Sequence, residues 1–428
     1  MQNLNIIYKA VLYSAILSII SCDNLEESSS FTSSDIEQID VAKALESSKP
    51  INASILGIES FEYIPLETNE NTLMLANPYL VSTIDDLLVV KNYKKLALFN
   101  KNGEYISDIG KYGEDPGAYR VVITSVNDRL DQRLVSAYSK FSKEILEFSV
   151  DTKQLVNTIN IQNVLLNNDS TLHPSNSRFF DVFFEDKDNI WGFLPNLFGD
   201  TPYRLIKFNE DGVIKKAYPQ GQTIKERPDS ERLYFAEAIF YKIRETLMFK
   251  ERYSDTLFIV NDEHLNPKYV FNLAEKSPPY EEKNYHRFTS KEDYDWGNFP
   301  YPYIDRNEYI FIESLIECDD FLIFSIMYHK ELSYGLYDKK NETTQISKIP
   351  DDNSNGFYND IDDFLPFRPT FIDRESNKLV GFVTAEEVLN WFEKNPELAS
   401  KLPEELADLS QIQPEDNPVV MIGKFKNN

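Results

Sequence analysis

Between residues 277 and 305 the chain reads SPPYEEKNYHRFTSKEDYDWGNFPYPYID, a polar stretch set with aromatic rings. Tyr285, His286, Tyr294, Trp296, Tyr301 and Tyr303 are its candidate ligand contacts. Flat rings cover large areas at low cost in rotamer entropy, which suits a sugar ring or a peptide side chain. A loop that packs its aromatics onto neighbouring elements has the same composition. A second pattern follows downstream. Asp351, Asn353, Asn355, Gly356 and Asp362 fall at positions 1, 3, 5, 6 and 12 of a calcium-loop spacing, with Asp360 as a further oxygen donor. Pro350 precludes the incoming helix of an EF-hand, so the alternatives are a Ca2+ site of another kind or a solvated Asp/Asn turn.

Other chemistries lack their residues. No GxSxG elbow, phosphate-binding loop or GxGxxG run occurs, and the four histidines form no HExxH pair. Only Cys22 and Cys318 are present, too few for a disulfide framework or a thiolate zinc site. Cys318 lies in the apolar run FIESLIECDDFLIFSI, where a buried inert thiol is expected. Paired acids such as Asp85-Asp86 and Asp319-Asp320 fit solvated turns, and no catalytic residue emerges. With 70 acidic and 44 basic residues the net charge is −26, which argues against nucleic acid as a partner.

The N-terminus reads as an address. After Lys9 comes AVLYSAILSIIS, too short to span a bilayer, and it ends Ile19-Ile20-Ser21-Cys22. That ending resembles the bacterial lipoprotein signal-peptidase box. Residues 1–21 are therefore expected to be removed and Cys22 lipidated, each buried methylene adding about 0.8 kcal/mol to membrane anchorage. Residues 22–57, acidic and serine-rich, are expected to be a flexible tether. Asp23, Glu26 and Glu27 resemble the surface-export signal of Bacteroidetes lipoproteins, and an ordinary linker has the same composition.

From residue 58 to 428 short apolar or alternating strands are separated by turn residues, an all-β pattern. The clearest unit is LALF and EYISDI around Asn100-Lys101-Asn102-Gly103, a hairpin. Similar hairpins follow, with first strands ending at Phe99, Phe148, Phe208, Val260 and Tyr337. Modules of this size predict propeller blades. FEYIPLE (61–67) and PVVMIGKFK (418–426) each lack a neighbour, and pairing them closes a six-bladed β-propeller; a seventh blade fits only the long interval before Tyr337. Residues 384–412 predict a helical insert in the last blade, opened by Thr384 and Glu387 in a capping-box spacing. Strand parity places this insert, the 110–120 turn and segments 275–303 and 350–369 on one rim, the expected binding face.

The order FEYIPLET, DDLLVV, LALFNKNGEYISDIGKYGEDPGAYR, RYSDTLFIV, NDIDDFLPFRP and EDNPVVMIGKFK resembles the six-bladed β-propeller lipoproteins of Bacteroidetes, which are distantly similar to NHL-repeat propellers. Where that family has a PGEY-like ending, this chain has Pro116-Gly117-Ala118-Tyr119, so the turn loses its glutamate. The resemblance implies an anchored extracytoplasmic propeller, usually without an assigned activity. Taken with the aromatic stretch on the expected binding face, the expectation is an outer-membrane lipoprotein, facing the periplasm or the cell surface, that binds a glycan or peptide ligand or an outer-membrane protein partner. Its alternative is a metal-assisted lyase or lactonase on the same scaffold. No cofactor is implied beyond the Ca2+ pattern.

Overall fold

The computed structural model describes residues 36–72, 80–92, 94–119, 126–139, 143–161, 164–165, 179, 181–196, 201–222, 238–280, 308–349 and 355–426. The described chain starts with β1 (Glu37–Ile39), α1 (Val41–Glu46) and β2 (Ile58–Pro65), whose partners come from distant parts of the sequence. Blade 1 follows as β3 (Leu80–Ile84), β4 (Leu87–Asn92), β5 (Lys95–Asn100) and β6 (Tyr105–Asp108), paired in that order. Blade 2 contributes β7 (Leu134–Ser139), β8 (Glu144–Ser149) and β9 (Leu155–Asn160). Its innermost position is held by residues 126–129, through a parallel bridge from Val126 to Val182 and an antiparallel one from Arg129 to Leu134.

Blade 3 is β10 (Asp181–Asp186), β11 (Asn189–Phe193), β12 (Tyr203–Phe208) and β13 (Ile214–Pro219). Blade 4 is β14 (Ala238–Ile243), β15 (Thr246–Glu251), β16 (Thr256–Val260) and β17 (Leu265–Phe271), with β1 added at its outer edge. Blade 5 is β18 (Phe311–Glu317), β19 (Phe321–Tyr328), β20 (Glu331–Asp338) and β21 (Thr343–Ser347). Blade 6 is β22 (Pro369–Asp373), β23 (Lys378–Val383) and β24 (Val419–Phe425), and β2 supplies its outer strand. The antiparallel β2–β24 ladder, from Ile58 opposite Phe425 to Pro65 opposite Val419, joins the two ends of the chain and closes a six-bladed β-propeller.

Burial explains why the strands read as they do. Central strands such as β4 (LLVVKN) and β5 (KLALFN) are covered on both faces by adjacent blades and need near-continuous apolar runs. Outer strands such as β6 (YISD) and β9 (LVNTIN) have one wet face and alternate. Apolar packing accordingly lies between blades. Ile84, Val89 and Leu98 of blade 1 meet Val135, Leu146 and Phe148 of blade 2, and each other neighbouring pair shares such a cluster. The expected hairpin forms between β5 and β6. Gly103 there has φ +83°, and a Cβ would sit 2.1 Å from the Pro65 carbonyl oxygen, so only glycine fits.

The insert of blade 6 consists of α2 (Ala385–Lys394), α3 (Pro396–Ala399), α4 (Glu404–Ala407) and a 3-10 turn at Asp408–Gln411. The capping box is present: Glu387 N donates to Thr384 Oγ1 at 3.2 Å and Thr384 N to Glu387 Oε2 at 2.8 Å. Val388 and Trp391 are buried, and the Trp391 ring stands edge-on to Phe364 at 4.6 Å. The long interval before Tyr337 adds no sheet among the described residues.

One expectation needs correction. The stretch read as a tether through residue 57 is folded from Glu37 onward. β1 pairs in parallel with β17, Asp40 N donates to Thr344 Oγ1 of β21, Lys49 bridges Ser347, and Asn52 bridges Tyr358. Ile39, Val41, Ala44, Ile51, Ala53 and Leu56 are buried. This strap binds the outer edges of blades 4 and 5 and the segment leading from blade 5 into blade 6, where exposed backbone groups and apolar flanks need cover.

Lys250, on β15, illustrates the charges enclosed between blades. It is 1% exposed, and its ammonium donates to the Glu251 and Ser254 carbonyl oxygens at 3.0 and 2.5 Å. Burial pulls its pKa down to about 8.

Candidate functional site: the axial funnel

The innermost strand of each blade lines the propeller axis, and together they enclose a cavity of about 540 Å3. Its walls come from Leu80, residues 127–132, Phe183–Glu185, Phe240–Lys242, Leu315–Glu317, Thr370–Ile372 and Arg374. Most of these lie in the second half of their strand, so the cavity sits towards the rim carrying the turns between first and second strands. The volume matches sites for small ligands. Phe240, Phe371 and Ile372 are half-buried and give the walls apolar surface, with Leu315 and Phe183 behind them.

Polar contacts tie each blade to the next around this mouth. Lys91 Nζ of blade 1 reaches Asp128 Oδ1 of blade 2 at 2.5 Å. Asn127 Nδ2 donates to the Phe184 carbonyl at 2.8 Å and Asn127 Oδ1 accepts from Phe184 N at 2.6 Å, joining blades 2 and 3. Lys242 pairs with Glu185 across blades 3 and 4. Tyr241 Oη donates to Glu317 Oε2 at 2.7 Å across blades 4 and 5. Arg374 Nη2 donates to the Glu317 carbonyl at 2.6 Å across blades 5 and 6, and Thr83 Oγ1 donates to Asp373 Oδ2 at 2.6 Å across blades 6 and 1. A mouth braced in this way holds its lining in fixed positions before any ligand arrives.

Glu317 is the most heavily bonded group here. Its Oε1 accepts from Tyr269 Oη at 2.8 Å and from Lys339 Nζ at 2.7 Å, in addition to the Tyr241 bond at Oε2. Burial, then the Glu317 charge, push the Tyr241 phenol well above its ordinary pKa, so it remains a proton donor. The adjacent Cys318 thiol is pushed up to about 12 by burial.

Most charges lining the funnel are neutralised. Arg129 Nε donates to Glu147 Oε1 at 2.8 Å, Asp128 is held by Lys91, Glu185 by Lys242, and Glu317 by Lys339. Two differ. Arg374 is exposed and, among the described residues, forms no ion pair with a carboxylate and one hydrogen bond, to the Glu317 carbonyl. Asp131 is exposed and makes no hydrogen bond or ion pair among the described residues.

Tyr285, His286, Tyr294, Trp296, Tyr301 and Tyr303 lie outside the described residues, as do Cys22, Asp351 and Asn353. Tyr280, at the start of the aromatic stretch, is described: it packs against the apolar cluster that includes Phe249 and Tyr253, and its hydroxyl accepts from Asn196 Nδ2 at 3.2 Å. Asn355 is half-buried. Asp360 accepts from Ser54 N at 3.0 Å and from Ser54 Oγ, which holds the strap. Asp362 accepts from Tyr63 Oη at 3.0 Å, Asn359 Nδ2 at 2.6 Å and Phe364 N at 3.1 Å, and burial raises its pKa. The two carboxylates are thus engaged with separate protein donors, and no group of three metal-ligating side chains occurs among the described residues. Sequence reasoning missed the funnel. Its lining is one strand per blade, with no contiguous motif to reveal it.

The fold has relatives among solved structures. A protein of Bacteroides fragilis NCTC 9343, inferred to be exported, superposes with a TM-score of 0.60 at 14% identity, over 92% of this chain and 100% of its own. A member of the DUF4221 family from Bacteroides vulgatus ATCC 8482 has a TM-score of 0.46 at 12% identity, over 87% of this chain and 98% of its own. No curated protein matches the sequence. A family model described as a domain of unknown function, DUF4934, matches residues 36–424, from the strap through the closing strand, and the chain belongs to that family.

Proposed function

We propose that this protein is a lipid-anchored, extracytoplasmic binding module that takes a glycan or peptide ligand into its axial funnel. The observation that carries the reading is the cavity of about 540 Å3 itself, walled by every blade and lined with aromatic and charged groups on a braced frame. Such a pocket offers a few fixed polar groups on apolar walls, the usual make-up of a small-ligand site. The Ser21-Cys22 pattern after an apolar run supports lipidation at Cys22 and an outer-membrane location, and the exported status inferred for the Bacteroides fragilis protein agrees with it.

Binding to glycan and peptide arrays tests the reading, using the full chain and the variants Phe371→Trp, Trp296→Ala and Tyr301→Ala. Phe371→Trp narrows the funnel and is expected to abolish binding that the other two preserve. Ligand retained by Phe371→Trp and lost with Trp296→Ala or Tyr301→Ala places the site on the aromatic stretch instead. For the anchor, Cys22→Ser is expected to abolish palmitate labelling and membrane partition; a variant that keeps both refutes lipidation there.

A further inference from the structure

We infer that the funnel receives a small zwitterion with an apolar body, the chemistry of a short apolar peptide with free termini. Its carboxylate meets Arg374, its ammonium meets Asp131, and its side chains cover Phe240 and Phe371. The inference rests on the funnel being the binding site.

The argument is one of charge matching. Every other ionised group in the lining already faces an opposite charge, so a ligand gains little by displacing it. Pairing leaves one positive and one negative group, Arg374 from blade 6 and Asp131 from blade 2, open to the same cavity. One guanidinium nitrogen of Arg374 is held by the Glu317 carbonyl, which fixes the group while leaving further donors for a bidentate carboxylate. Asp131 offers only acceptors and suits an ammonium. A simple anion would satisfy Arg374 while adding charge near Asp131, and a simple cation would do the reverse. A neutral sugar would leave both charges without a partner. The apolar residues lining the same cavity, Phe240, Phe371 and Leu315, reward burial of a hydrocarbon side chain.

The test is isothermal titration of the full chain with leucyl-phenylalanyl-leucine and with its C-terminal amide, its N-acetyl form and the doubly blocked form. The free peptide is expected to bind saturably, and each single block to weaken it about tenfold, the equivalent of about 1.4 kcal/mol. Arg374→Gln is expected to remove the penalty for amidation while keeping that for acetylation, and Asp131→Asn to do the opposite. Four forms that bind alike, or no binding of any form at 5 mM, overturns the inference. If none binds but a neutral array glycan does, and Phe371→Trp abolishes that binding, the zwitterion inference falls and the funnel stands. Peptide binding untouched by Phe371→Trp overturns both.

Discussion

Lys250 couples the stability of blade 4 to pH in a direction opposite to that of most lysines. Its ammonium is buried against two carbonyl oxygens, with no carboxylate in ion-pair contact among the described residues. Burial is the main cause of its lowered pKa; the charges of Glu251, Asp255 and Glu313 counter it, and Arg252 adds to it. In the unfolded chain the group titrates at its ordinary 10.5, in the folded chain at about 8. Below about pH 8 both states hold the proton, and the native state bears the whole cost of the enclosed charge. Between about 8 and 10.5 the native state sheds the proton while the unfolded state retains it, so the unfolded state binds more protons and stability rises with pH. The gap corresponds to about 3 kcal/mol over the full window, of which about 2 kcal/mol is recovered between pH 7 and 9.5. Lys250→Met lacks the titration. Urea unfolding of both proteins at half-unit pH intervals should show the stability of wild type relative to the variant rising by about 2 kcal/mol from pH 7 to 9.5. A difference that stays flat, or falls, refutes the reasoning.

Two further outcomes follow from positions described above. With its thiol pushed up to about 12, Cys318 should resist a thiol-specific disulfide reagent at pH 8 in the native protein and react fully in guanidinium; prompt native labelling would contradict its burial. Gly103→Ala must adopt a positive φ and displace the Pro65 carbonyl, so it should destabilise the protein by about 1–3 kcal/mol in urea unfolding, and an unchanged midpoint would show that the blade 6 to blade 1 contact yields freely.

The propeller was legible because its repeated unit is local. Asn100 to Gly103 fixes a hairpin by turn chemistry alone, and Phe99, Phe148, Phe208, Val260 and Tyr337 all occupy the third strand of their blade. The capping pair Thr384 and Glu387 is likewise local, three residues apart. The strap was not legible, since Ile39 and Val41 are isolated apolar residues in a polar stretch and β17, the partner of β1, lies more than two hundred residues away. Nothing near them in sequence announces a free sheet edge. The funnel was hidden for a related reason. Arg374 and Asp131 are ordinary charged turn residues until ring closure brings blades 6 and 2 to a shared axis. The aromatic stretch, by contrast, was conspicuous through composition, which reports the presence of rings and not their placement.

The strap also determines how the molecule bears mechanical load. Tension arriving through the N-terminal segment meets β1 first, whose residues Glu37, Gln38 and Ile39 lie in parallel register with Tyr269, Val270 and Phe271. Pulled along its own length, such a pair shares force among its hydrogen bonds simultaneously instead of peeling them singly. The docked Val41 and the Asp360 clasp on Ser54 come next in line, ahead of β2. The ladder that closes the ring is thereby shielded: a pull on Glu37 strains the rim of blade 4 before it reaches the clasp between β2 and β24.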